Sequence, residues 1–256
     1  MFNVRAATRA IAFWEDDQQG PLPALLLVLT IVTGVVDAVS YLKLGRVFVA
    51  NMTGNVVFLG FAIADPQAFS IPASLAAIGA FCVGALGGGR LSLLHGQHRG
   101  RHITIALYVE LVLVGATLMV SILTLDLGTA ESAYALIALL AFAMGFQNAT
   151  ARHIGIPDLT TTVLTLTITG LAAEANLAGW KNAHLRRRLS AIAAMFLGAA
   201  LGAVLVVRFG VSAAIALALV LLAGAGMAAR RYAASSAAWT EPLRNRKALN
   251  SPMNGA

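Results

Sequence analysis

Two stretches of this chain place ligand-binding chemistry where such side chains are costly to keep. The first is Phe48-Val49-Ala50-Asn51-Met52-Thr53-Gly54-Asn55-Val56-Val57-Phe58-Leu59-Gly60, which sets two amides, a hydroxyl and a glycine inside an apolar run. Asn51, Thr53 and Asn55 offer donors and acceptors, and Gly54 permits a helix break or a close backbone approach. The second is threonine-rich, with Thr160, Thr161, Thr162, Thr165, Thr167 and Thr169. Thr162, Thr165 and Thr167 are the residues that can face the asparagines from the other half of the chain. Such sets coordinate a small polar solute or an ion. They also serve as ligand-free glue between membrane helices, and both readings stand at this point.

Two acids, Asp37 and Glu110, lie inside apolar blocks. Intramembrane acids usually line a cavity or relay protons, so both are candidate coupling groups. The competing readings are an ion pair of Asp37 with Lys43 or Arg46, and snorkelling of Glu110 toward Arg101. Asn148 stands where the second half would repeat Asp37, as a hydrogen-bonding candidate. Its neighbour Gln147 is expected to hydrogen-bond within the bundle. Histidines 95, 98 and 102 are spaced for metal ligation. Flanking arginines favour instead a basic face near anionic headgroups. No paired catalytic carboxylates, Ser-His-acid set, phosphate-binding loop or nucleotide fingerprint is visible, so no enzyme, cofactor or metal is expected.

The elements that must position these residues are apolar helices. Of the 256 residues, 59% are hydrophobic and 11% charged, about half the charge of a soluble domain. The net charge of +7 reflects Lys and Arg in short connections and the C-terminal tail, which argues for a membrane surface and against nucleic acid. The single cysteine, Cys82, excludes an internal disulfide. Apolar blocks fall at about 23–43, 48–64, 71–94, 103–125, 132–151, 159–175, 189–207 and 209–229. Residues 1–22 read as a cytoplasmic segment, either frayed or an interfacial helix, and 230–256 as a basic, disordered tail. Between them, 23–229 forms one transmembrane domain.

The halves, about 23–125 and 132–229, resemble each other. Gly34-Val-Val-Asp37-Ala38 matches Gly145-Phe-Gln-Asn148-Ala149, Asn51–Asn55 falls against the Thr-rich stretch, and Gly84 and Gly88 fall against Gly198 and Gly202. The common order, at offsets of 111 to 114 residues, indicates a duplication. If all eight blocks cross, Lys and Arg divide 11 to 7 between the sides; if the second and sixth blocks dip in and return, the division is 15 to 3. The positive-inside rule prefers the latter. The expected fold is therefore all-α and polytopic, with about six transmembrane helices plus two short re-entrant helices in two inverted repeats. Eight crossing helices in parallel repeats are the alternative.

The motifs carry a resemblance as well. Gly34–Ala38, Val47–Asn55, Met144–Ala149 and Thr160-Thr161-Thr162-Val163-Leu164-Thr165 resemble the YoaK-like family of bacterial inner-membrane proteins over about residues 24–229. The resemblance implies a bacterial cytoplasmic-membrane protein of unknown function with about six spans, and supplies no catalytic or substrate residue. Relatives commonly read Leu-Thr-Gly-Thr in the second stretch. Leu166 stands at that glycine here, which weakens a break at that position.

From all this the expected function is a small secondary transporter or channel for an unidentified polar solute or ion. Its site would comprise Asn51, Thr53, Gly54, Asn55, Asn148, Thr162, Thr165 and Thr167, with Asp37 or Glu110 as coupling group. A non-transporting scaffold or accessory subunit is the alternative. The lipid bilayer is the expected partner. The glycine faces of the third and seventh blocks also suit self-association, and both termini are expected in the cytoplasm.

Overall fold

The computed structural model describes residues 19–65, 67–124, 130–156, 164–173, 185–233 and 238–240. Among them are eight α-helices: α1 (Leu22–Lys43), α2 (Met52–Ala64), α3 (Ile71–His95), α4 (Arg99–Thr124), α5 (Ala130–Ile154), α6 (Leu164–Ala173), α7 (Leu185–Phe209) and α8 (Val211–Ala233). Six have 22 to 26 residues. At about 1.5 Å per residue these cover the roughly 30 Å hydrocarbon layer. The other two, α2 with 13 residues and α6 with 10, reach only about 20 and 15 Å.

Helix ends follow local chemistry. Pro23 lies in the first turn of α1, where its missing N–H costs nothing. The Ser70 hydroxyl accepts the Ala73 amide and caps α3. The fourth block begins earlier than hydropathy implies. The His98 side chain accepts the Arg101 N–H at 3.0 Å, so the helix opens at Arg99. The connection expected between the third and fourth blocks, 95–102, thus shrinks to Gly96–His98. Arg99 and His102 become buried helical residues, 3% and 0% exposed.

The bundle is held by two seams of close backbone contact. In one, α1 packs on α7; in the other, α5 packs on α3. A Cβ on Gly34 would lie 2.6 Å from the Met195 carbonyl oxygen, while one on Gly198 would strike the Ile31 carbonyl. In the second seam a Cβ on Gly145 would strike the Phe81 carbonyl, and one on Gly84 the Phe142 carbonyl. Gly202 abuts Val35 as Gly88 abuts Phe146. Every partner in the first seam maps onto the second at the offset read from the sequence: Gly34 to Gly145, Ile31 to Phe142, Gly198 to Gly84. Lipid is as apolar as leucine, so backbone proximity of this kind is what holds membrane helices together. Helices α4 and α8 pack on each other, α8 also flanks α1, and α4 flanks α5. Helices α2 and α6 lie on α3 and α7. Helix α1 is the most enclosed, buried along nearly all of Leu22–Ser40.

Past α8, Ala238–Thr240 forms a short 3-10 turn. Trp239 is 5% exposed and packs over Gly20 and Gly100. That portion of the expected free tail is docked on the bundle, and Arg230–Ala233 belong to α8. The expected interfacial helix within 1–18 lies outside the described residues.

Candidate functional site

Directly after α1 the chain reverses. Gly45 and Arg46 both have positive φ, 107° and 57°. The left-handed region is open to glycine and costly for arginine. Val47, Val49 and Ala50 then run back along α1 and are buried. Asp37 fixes the turnback. Its Oδ1 accepts the Val49 N–H at 3.0 Å and the Ala50 N–H at 2.9 Å. Charged acceptors make the stronger hydrogen bonds, and these two N–H groups would otherwise be orphaned in the interior. Asp37 is 5% exposed and forms no ion pair with Lys43 or Arg46 among the described residues; its two hydrogen bonds go to loop backbone.

Asn55 closes the same loop from the other side. Its Oδ1 accepts the Phe48 N–H at 2.9 Å, and its Nδ2 donates to the Phe48 carbonyl at 2.6 Å. The side chain thus acts as a substitute peptide group, and its residue is fully buried. Asn51 and Thr53 are exposed on the surface of the isolated chain, with Gly54 partly covered by Phe48. Asn51 therefore sits about two helical turns inside the α1 C-terminus, beside Asp37. Helix α2 then runs toward that terminus. Phe58 stacks on Phe48 at 5.7 Å and lies 6.2 Å from Tyr41, one turn beyond Asp37. Phe69, just ahead of α3, meets Phe58 and Phe61 at 5.5 Å.

The second half holds Asn148 at the position equivalent to Asp37. Asn148 is half-buried, and its Nδ2 donates to the Met144 carbonyl of its own helix at 2.8 Å. Thr167 is buried on α6 and Thr165 is exposed. Thr162 lies outside the described residues. No hydrogen bond links the asparagine group to the threonines among those described. Glu110 is 2% exposed within α4, its Oε1 has no hydrogen-bond partner, and it forms no ion pair with Arg101. It is not hydrogen-bonded to Asp37 or to the Asn51–Asn55 segment.

Gln147 hydrogen-bonds within the bundle as expected, but its partner and two other features escaped the sequence reading. The Gln147 Nε2 donates to Thr33 Oγ1 at 2.9 Å, crossing from α5 to α1, while Thr33 donates to the Leu29 carbonyl. Thr33 has no motif around it. Only its place on the buried face of α1 distinguishes it. Arg188 falls between the sixth and seventh apolar blocks, yet it is 6% exposed with its guanidinium against Gly170 of α6. Its spacing with Ala191, Ala194, Gly198 and Gly202 on one helical stripe was the available signal. The third is His102, whose Nε2 lies 3.3 Å from Ser92 Oγ and whose ring meets His153 edge-on at 5.0 Å. Histidines 95, 98 and 102 do not converge as ligands. Among the described residues no three His, Cys, Asp or Glu side chains are grouped to hold a metal.

A family model described as a protein of unknown function, DUF1275, matches residues 25–228. The chain belongs to the DUF1275 family. It is also similar to the UPF0700 transmembrane protein YoaK of Bacillus subtilis strain 168, with 33% identity over 150 residues. That match covers 59% of this chain and 65% of the relative, so less than two thirds of the relative's length is spanned. No solved structure matches the chain. Six helices long and apolar enough to cross, together with a transmembrane relative, make this DUF1275 chain a multi-pass membrane protein.

Proposed function

We propose that the protein is a small secondary transporter or channel for a polar solute or ion, in a bacterial inner membrane with both termini cytoplasmic. The observation that carries this reading is the turnback on α1. Polar backbone and side chains are brought well inside the bundle and then left on its surface, where Asn51 and Thr53 are exposed. Irregular backbone at membrane depth is tolerated where it lines a cavity or is covered by protein. Exposed amides and hydroxyls there call for water, solute or a partner, since lipid cannot hydrogen-bond them.

Re-entrance and inversion support the same reading. Helix α2 is too short to cross, and its aromatic contacts lead it back toward the end of α1 that it left. With α6 likewise short, each half contributes three spans, and an odd number of spans turns the second half over relative to the first. Inverted repeats that meet at short broken helices are a recurrent transporter plan. In this reading Asn51, Thr53 and Gly54 form the solute-facing wall, and Thr165 and Thr167 the opposing one with Thr162 and Asn148. Asp37 and Asn55 set the wall's shape, and Asp37 or Glu110 carries the coupling charge. No catalytic chemistry is involved.

One observation favours the second reading, a scaffold or accessory subunit. Both polar ends of Asn55 and one oxygen of Asp37 are already committed to loop backbone. Exposed Asn51 and Thr53 would then meet another chain.

Accessibility separates the two. In a Cys82→Ala background, Thr53→Cys and Thr165→Cys would be challenged in intact cells with a membrane-impermeant thiol reagent. Gln67→Cys, Gly100→Cys, Gly128→Cys and Gly179→Cys would report topology. The transporter reading expects Gln67→Cys and Gly128→Cys to label from outside, Gly100→Cys and Gly179→Cys to be protected, and Thr53→Cys and Thr165→Cys to react at low rates. Complete protection of both threonine positions from either side would remove the aqueous path and leave the scaffold. Labelling of Gly100→Cys with protection of Gln67→Cys would mean eight crossing helices.

A further inference from the structure

At the helix ends opposite the turnback, a cavity of about 240 Å³ opens between the start of α4 and the end of α8. Its walls are His98, Arg101, Thr104, Ile105, Arg230 and Ala233. Two guanidinium groups and an imidazole from separate helices converge on it. No carboxylate lines it, and neither Arg101 nor Arg230 has an ion-pair partner among the described residues. The His98 Nδ1 accepts the Arg101 backbone N–H, so the ring proton resides on Nε2 and the imidazole presents a donor. The Thr104 hydroxyl is spent on the Gly100 carbonyl at 2.7 Å. Its methyl group, Ile105 and Ala233 form an apolar floor. The positive end of the α4 dipole adds to the same field.

We propose that this cavity is a phosphate-recognition site that takes the headgroup of an anionic phospholipid. Arginine forks suit phosphate oxygens, and basic pockets between helices at the membrane surface suit anionic headgroups. A free phosphate would use the same arginines. The apolar floor favours the lipid, because it gives the glycerol and first acyl carbons somewhere to lie. The level is right as well. Trp239 packs over Gly100 beside the cavity, and indoles concentrate at the headgroup boundary. The site is independent of the transport reading.

The test uses the full chain purified in neutral detergent, with ligand binding followed by native mass spectrometry and by thermal unfolding. The probes are dioctanoyl phosphatidylglycerol, dioctanoyl phosphatidylcholine and inorganic phosphate. Phosphatidylglycerol should bind and raise the unfolding temperature, and phosphatidylcholine should not. In the R101Q/R230Q variant its binding should weaken about thirtyfold, the usual worth of two basic contacts. The R90Q/R231Q variant removes the same charge from exposed positions outside the cavity and should bind like the parent chain. Ala233→Met fills the floor without changing charge and should weaken phosphatidylglycerol alone. Helical circular dichroism checks that each variant is folded. Equal loss in R90Q/R231Q would reduce the effect to general charge attraction and overturn the site. Inorganic phosphate binding as tightly as the lipid, unaffected by Ala233→Met, would overturn the lipid assignment while retaining the phosphate chemistry. Binding of neither phosphatidylglycerol nor inorganic phosphate would overturn both.

Discussion

At one position in the first half, an aspartate reaches across a chain reversal and holds two amides; at the equivalent position in the second half, an asparagine donates to a carbonyl of its own helix. Asp37 and Asn148 are separated by the same 111 residues that separate Gly34 from Gly145. The glycines keep equivalent contacts; three positions on, Asp37 holds two loop amides, while Asn148 is bonded to the Met144 carbonyl and the stretch equivalent to that loop lies outside the described residues. Backbone-to-backbone packing tolerates no drift, because any added atom meets a carbonyl. A polar side chain can change partner once its loop changes. The paired glycines thus keep one backbone frame in both halves.

The largest effects should come from the frame. Gly84→Leu and Gly198→Leu each drive a side chain into the opposite helix, at the Phe142 and Ile31 carbonyls. Each should cost roughly 3 kcal/mol or more, or abolish folding. Monodisperse yield and thermal unfolding in detergent would measure this. Equal losses would make the seams energetic equivalents. Tolerance of one and not the other would break the comparison at its root.

Asp37→Ala ranks next, since it strands two interior N–H groups at about 1–3 kcal/mol each. Asp37→Asn keeps an acceptor in place and should cost near 1 kcal/mol, the loss of charge assistance. Asn148→Ala removes the bond to the Met144 carbonyl, worth about 1 kcal/mol on its own. A thermal-unfolding series of the three would show whether the two equivalent positions differ in what they contribute to stability. Comparable losses from Asp37→Ala and Asn148→Ala would erase the difference.

Asn55→Leu loses both bonds to Phe48 and should cost about 2 kcal/mol. The equivalent position is Thr167, also buried, where Thr167→Val should cost about 0.6 kcal/mol for each hydrogen bond it loses. Proteolysis between α1 and α2 would report loosening of the loop in the first variant. An intact loop in Asn55→Leu would mean that Asp37 alone holds the reversal.

Much of this was legible in the residues. Hydropathy located the eight described helices, and the two short polar blocks emerged as the two shortest of them. The glycine pairs carried the duplication, because small residues at four-residue spacing have few other uses in an apolar helix. What the sequence did not disclose was partnership. Asn51, Thr53 and Asn55 look alike as a motif, yet only Asn55 is buried and bonded on both sides. That division depends on the turn at Gly45 and Arg46, which sets how far back along α1 the segment lies. Arg101 and Arg230 are far apart in the chain, so their convergence was invisible until α4 and α8 were seen to pack.

The smallest stability effect is the most informative about function. Gln147 stands where the first half has Val36, so Gln147→Val makes the halves alike at this position. The substitution removes one interhelical bond to Thr33, worth about 0.6 kcal/mol in membrane bundles. It also removes a buried acceptor, Oε1, that has no hydrogen-bond partner, and relief of that penalty offsets the loss. The unfolding temperature should therefore stay within a degree or two of the parent, a shift expected of a few tenths of a kcal/mol. A residue retained for packing would leave thiol accessibility at Thr53→Cys unchanged as well. A residue retained for a hydrated or solute-lined path would lower that accessibility without lowering stability, because a polar group facing the path has been replaced by an apolar one. The two readings of the protein thus part at a position where stability is nearly silent.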